Sequence, residues 1–249
     1  MSHEPTIVLV HGAFADASSW SEVVDRLLGQ GHHVIAPANP LRGLTSDATY
    51  IASVLNQIEG PVLLVGHSYG GAVNSNAATR AKNVLGLVYV AAFAPEEGEI
   101  LGAAEANSKD SVLNSALLQR MYPTGKDGES APEFYVDPAK FRDVFAADVP
   151  DARCAVMAAT QRPIAAAAFS DPSGPPAWKT IPSWAVVAVG DKAAGTDVIR
   201  SMAQRAKAKI TEIQGSHVIM VSQPQAVTDV IVEAVQSVMK QPAGAGARK

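Results

Sequence analysis

Apolar residues fall along this chain in short unbroken runs separated by stretches of helical period. Thr6 to Val10 is the first run, rich in β-branched residues, and it reads as a buried strand. His33 to Ala36, Val62 to Val65, Val84 to Ala92 and Trp184 to Val189 read the same way, and Lys209 to Ile213 is read as the last strand. Between them, Val23, Val24, Leu27 and Leu28 share a helix face, as do Ile51, Val54, Leu55 and Ile58. Ile199, Met202, Ala203 and Ala206 form another, and Pro224 to Met239 is a final helix with a broad apolar side. Ser18 or Ser19, Ser46, and Thr196 or Asp197 stand where helix caps belong, and Gly29 and Gly31 stop the first helix. Strands that are apolar at every position are covered on both faces. Alternating with helices, they predict an α/β domain on a mainly parallel sheet with right-handed crossovers.

Residues 96–180 break this rhythm. The spacing there predicts a helical piece near Val112 to Met121, a turn-rich stretch from Pro123 to Asp137, and alanine-rich helices around Phe141 to Ala168, with no strong strand signal. So long a connection without structure of its own is improbable in a compact domain. The expectation is a core of residues 1–95 and 181–240, with residues 96–180 inserted as a helical cap. Gly125 and Gly128 permit cap movement. Residues 241–249, QPAGAGARK, read as a flexible tail.

The third strand runs into Gly66-His67-Ser68-Tyr69-Gly70, and a helix opens directly after it. Strand, sharp turn and helix form the setting in which Gly-x-Ser-x-Gly carries a nucleophile. A serine hydroxyl is a weak nucleophile and must stand clear of the backbone, within reach of a base. Glycines at 66 and 70 relieve the crowding of the turn, leaving Ser68 at its apex in a strained conformation. Sites in such sheets form at the carboxyl ends of strands. His217 follows the last strand and Asp191 the one before. His217 is the expected base, and Asp191 the group that holds its tautomer. Asp197 reads instead as a helix cap and Asp171 as a turn residue. Two backbone N–H groups should face the oxyanion: that of Tyr69, after the nucleophile, and that of Ala13, in the loop after the first strand. His11 and His67 are read as structural, and His3, His32 and His33 as solvated.

Composition narrows the class. The 249 residues carry a net charge of −4 and no basic block, which argues against a nucleic-acid partner. Cys154 is the one cysteine, so an internal disulfide is excluded, and in its apolar stretch the residue reads as structural. A metal site is not expected. The N-terminal MSHEPTIVLVHG lacks the pattern of a signal peptide, and no run reaches the roughly 18 apolar residues that span a bilayer. The expectation is a cytoplasmic protein without membrane contact; a homodimer is left open.

HGAFADASSW, GHSYGG, IPSWAVVAVGD and GSHVIMVSQP together resemble the α/β-hydrolase superfamily over nearly the whole length. The chain looks most like small bacterial esterase-like hydrolases related to plant methyl esterases and hydroxynitrile lyases. The resemblance implies a helical cap, no cofactor, the triad Ser68, Asp191 and His217, and Ala13 and Tyr69 as oxyanion donors. Because the chain begins almost at the His-Gly strand, about six strands are expected. Plant lyases typically carry threonine where this chain has Gly12, and lysine where it has Val218; both departures favour ester hydrolysis. The expected activity is hydrolysis of a small, largely apolar carboxylic ester through an acyl-enzyme. Phe14, Tyr69, Phe93 and Trp178 are candidates to line the pocket. The alternatives are C–C bond hydrolysis, cyanohydrin cleavage or perhydrolysis by the same triad, or a hydrolase-fold protein that binds a small ligand without turning it over.

Overall fold

The computed structural model describes residues 4–240. The expected tail at 241–249 and His3 lie outside the described residues. The first half of the chain lays down four strands, β1 (Thr6–Val10), β2 (Val34–Ile35), β3 (Val62–His67) and β4 (Val84–Val90). Helices α1 (Ser21–Gly29), α2 (Leu44–Leu55) and α3 (Tyr69–Ala77) connect them. After β4 come α4 (Leu101–Ala106), strands β5 (Leu117–Pro123) and β6 (Ser130–Val136), and helices α5 (Phe141–Phe145) and α6 (Asp151–Thr160). Strand β7 (Ile164–Ala165) and helix α7 (Ala166–Ser170) complete this stretch. The sheet pattern then resumes with β8 (Ser183–Ala188), α8 (Thr196–Arg205), β9 (Lys209–Ile213), α9 (Ile219–Ser222) and α10 (Pro224–Lys240).

Six strands form one sheet in the order β2-β1-β3-β4-β8-β9. Every neighbouring pair is parallel. All residues of β3 and β8 are buried, so both faces of the sheet are covered. The chain reverses its direction of travel across the sheet between β1 and β3. Loops diverge there at the carboxyl edge and leave a crevice. No helix among the described residues is long and apolar enough to cross a membrane.

The stretch between β4 and β8 departs from a purely helical reading. It carries a second sheet, antiparallel, in the order β5-β6-β7. The helix expected near Val112 to Met121 is a 3₁₀ turn, Leu113–Ala116, followed by β5. The turn-rich stretch is a hairpin, with Gly125 and Gly128 in left-handed conformation at its tip. Pro132 lies within β6, where it can donate no hydrogen bond to a neighbouring strand. It is accommodated because β7 pairs only with Glu133 and Phe134, so β6 has a partner on one side alone at Pro132.

This second sheet is tied to the core by charge. Arg42, in the loop before α2, pairs with Glu133 at 2.7 Å and lies over the Tyr122 ring at 4.4 Å. Asp171 accepts the Leu44 N–H at 3.1 Å and so serves the N-terminus of α2, a partner outside its own segment. Ser46 is not the cap of α2; Gly43 holds that position, and the Ser46 hydroxyl donates to its carbonyl. The first helix likewise begins later than expected, after a 3₁₀ turn capped by Asp16.

Candidate active site

Ser68 stands between the end of β3 and the start of α3 with φ +52° and ψ −123°. That is a conformation a residue with a Cβ rarely adopts, and such strain persists only where the surroundings enforce it. Here they do. The Ser68 N–H donates to Val90 O, and the Ser68 carbonyl accepts from Gly71 and Phe93. A Cβ on Gly66 would lie 2.7 Å from the Gly70 carbonyl, and one on Gly70 would lie 2.5 Å from Val10 O. Only bare backbone lets the turn close this tightly against β1.

His217 and Asp191 come together as expected. The loop after β9 carries His217, and its Nδ1–H donates to Asp191 Oδ2 at 2.7 Å, both side chains being almost fully buried. The other carboxylate oxygen of Asp191 accepts the N–H groups of Ala193 and Ala194, each at 2.9 Å. Asp191 is thereby locked, with one oxygen left for the imidazole. Ser68 and His217 line the same cavity. Among the described residues no hydrogen bond joins them; in free enzymes this bond is often long and tightens with substrate.

The remaining histidines explain how His217 is held. His67 is fully buried, and its Nε2–H donates to the His217 carbonyl at 3.0 Å. The two rings lie 4.7 Å apart. Burial first, and the neighbouring His217 second, hold the His67 pKa well below its ordinary value, so it adds no positive charge beside the base. Phe145 also packs on His217, at 5.0 Å. The Ser216 hydroxyl donates to Asp148 just before the histidine. His11 is structural, as the sequence suggests: its Nε2 accepts the Asn39 N–H at 2.9 Å and its Nδ1 donates to Gly12 O.

Burial, more than any other influence, lowers the His11 pKa to about 4. A histidine depressed in the folded state is protonated first in the unfolded chain. Its effect on stability is nil above pH 6.5, and the loss builds as pH falls from there to about 4, reaching about 3 kcal/mol. His67 acts in the same direction. The urea midpoint should therefore drop over this interval, and the drop should be smaller in His11→Gln. An equal slope in the variant would contradict the assignment.

Ala13 lines the cavity with Ser68, and Tyr69 directly follows Ser68 in the chain. Tyr69 is the first residue of α3, where backbone N–H groups have no partner within the helix. Among the described residues, neither the Ala13 nor the Tyr69 N–H donates within the chain. Gly12 explains how the Ala13 loop comes so near. A Cβ at Gly12 would lie 2.7 Å from Ser68 Cβ and 2.9 Å from His67 O. Gly12→Thr should therefore cost about 10²-fold or more in kcat/KM, the scale of one lost oxyanion donor. Kinetics on a short ester beside a melting curve measures this; near-normal turnover would refute it.

The cavity is tight, with room for about one water molecule. Phe14 and Phe93 line it as expected, together with Leu113, Phe145 and Phe169 from the insertion. Those three were missed, because nothing local in the sequence marks which face of an inserted segment turns inward. Two expected lining residues are corrected. The indole N–H of Trp178 donates to Pro95 O at 3.0 Å, and its ring is not part of the cavity wall. The Tyr69 hydroxyl donates to Asp47 Oδ2 at 2.7 Å, so its side chain lies among buried core groups and not in the cavity wall. Asp197 is not the cap of α8, a position that Gly195 holds; its carboxylate instead accepts from the Ser108 hydroxyl and the Lys109 N–H of a distant segment. Cys154 is buried away from the cavity, its thiol pKa raised by that burial. The described residues contain no group of three or more His, Cys, Asp or Glu side chains set to hold a metal ion.

Comparison with known proteins bears on this geometry. The family model described as "Alpha/beta hydrolase family" matches residues 7–230. A carbendazim hydrolyzing esterase of Nocardioides sp. (strain SG-4G) is 38% identical over 109 residues, covering 39% of this chain and 45% of that protein. The match thus spans less than half of that relative's length. Among solved structures, polyneuridine aldehyde esterase superposes with a TM-score of 0.76 at 19% identity, covering 93% of this chain and 99% of the other. A pyrethroid hydrolase from Sphingobium faniae JZ-2 superposes with 0.76 at 21% identity, covering 95% and 99%. At such identities the likeness is one of fold.

Proposed function

The chain belongs to the alpha/beta hydrolase family, and within it we propose that it is a serine hydrolase of small, largely apolar carboxylic esters. The observation that carries this reading is the buried His217–Asp191 pair, 2.7 Å apart, sharing one cavity with the strained Ser68. In this mechanism Ser68 Oγ attacks the ester carbonyl and passes its proton to His217 Nε2. The Ala13 and Tyr69 N–H groups receive the oxyanion, where each such donor is worth about 10²–10³ in rate. Asp191 stabilises the imidazolium. His217 then protonates the departing alcohol, leaving an acyl-Ser68. A water, deprotonated by His217, attacks that acyl group; the intermediate collapses to the acid as His217 returns the proton to Ser68 Oγ.

The substrate class rests on the cavity walls, which are mostly aromatic and aliphatic. The name of the Nocardioides relative supports an esterase over other chemistries of the same triad. Cyanohydrin cleavage loses support at Val218, a fully buried apolar residue next to the base that offers no cation to cyanide. The test is hydrolysis of p-nitrophenyl acetate by wild type and Ser68→Ala, with phosphonylation of Ser68 by a fluorophosphonate read by mass spectrometry. Turnover and labelling by wild type alone support the reading. Neither in wild type would favour a ligand-binding member of the fold.

A further inference from the structure

Beside the catalytic cavity lies a second space, a solvent-open cleft between the loop after β1 and helix α6. We propose that this cleft is a second substrate subsite, taking the longer arm of an ester whose shorter arm sits in the catalytic cavity, with Phe14 as the movable partition. The proposal rests on the ester-hydrolase reading and narrows its substrate to esters with one small and one extended arm, the latter lying along Val156 and Met157 with Asp16, Arg153 and Gln161 around it.

Three observations carry it. First, the catalytic cavity alone is too tight for a sizeable ester, so one arm must leave it. Second, Phe14 lines both spaces and is only 2% exposed. Its backbone has φ +57°, a conformation that is an outlier for so bulky a residue. Its ring meets Phe145 edge-on at 6.0 Å, and Phe145 in turn packs on His217. Rotation of one ring would join the cleft to the base. Third, α6 turns Arg153, Val156, Met157 and Thr160 toward the cleft, while Cys154 and Ala158 face the interior. Helical spacing puts these four on one face. Val156 stays 61% exposed there, apolar surface without a protein partner beside a catalytic cavity.

The experiment uses two ester series, methyl esters of acetic to decanoic acid and acetate esters of methanol to decanol. Wild type, Val156→Trp, Phe14→Ala and Ser68→Ala are compared, each checked by circular dichroism. Val156 is exposed enough for tryptophan to fill the cleft without entering the core. Wild type should turn over the long members of one series. Val156→Trp should lower kcat/KM for these at least tenfold relative to methyl acetate, and Phe14→Ala should shift preference toward them. Equal losses on short and long esters, no change on either, or a wild type confined to short members of both series would overturn the subsite. A wild type that hydrolyses neither series, or Ser68→Ala as active as wild type, would instead remove the ester reading and the subsite's substrate class with it.

Discussion

Ser68→Ala should reduce turnover of a short ester by about 10⁴- to 10⁶-fold, with the fold unchanged. The variant removes one oxygen and nothing else. Alanine bears the same Cβ and meets the positive φ of this position with the same strain, which the bonds to Val90, Gly71 and Phe93 already enforce. The melting temperature should therefore stay within a few degrees of wild type. Some catalysis should survive, because the Ala13 and Tyr69 amides would still polarise a bound carbonyl; in other triads this remnant amounts to about 10³-fold over water. Steady-state kinetics on p-nitrophenyl acetate decides the matter. Activity within tenfold of wild type would mean that another group is the nucleophile.

Asp191→Asn should cost about 10⁴-fold in kcat, and the structure explains why so conservative a change is so damaging. One carboxylate oxygen is held by two backbone donors, Ala193 and Ala194. In the variant that position must be taken by the amide oxygen, since an NH₂ group would face two N–H groups. The NH₂ then points at His217 Nδ1, 2.7 Å away in the native pair, and makes that nitrogen an acceptor. The imidazole proton moves to Nε2, and no lone pair remains there to take the proton of Ser68. Shape and packing are preserved, so melting should be little altered. A loss under tenfold would show that Asp191 does not set the tautomer.

The parts of this site that could be read from the chain are those whose meaning is local. Strand β3, the turn at Ser68 and helix α3 are contiguous, so the Gly-x-Ser-x-Gly spacing describes the geometry itself. His217 and Asp191 were legible for a related reason: each follows a strand, and a parallel sheet delivers all its strand ends to one edge. The insertion was less legible. Strand β5 is mostly exposed or half-buried and shows no strict alternation, and β6 contains a proline. Leu113, Phe145 and Phe169 enter the cavity only through the tertiary placement of their segments. Tyr69 and Trp178 were misplaced as pocket residues because a position in the sequence says at most where a backbone runs. It does not say which buried acceptor, Asp47 or Pro95 O, will claim the polar end of the side chain.

The two insertion residues that reach the His217 loop, Phe145 through its ring and Asp148 through its carboxylate, lie three positions apart in the chain. This sets a limit on modular redesign. A graft that exchanges the hairpin of β5 and β6 for that of a relative leaves the general base supported. A graft that also carries away helix α5 and the turn behind it removes a wall from the base along with the old selectivity. The transplantable module therefore ends before Phe141, and the donor's junction belongs there.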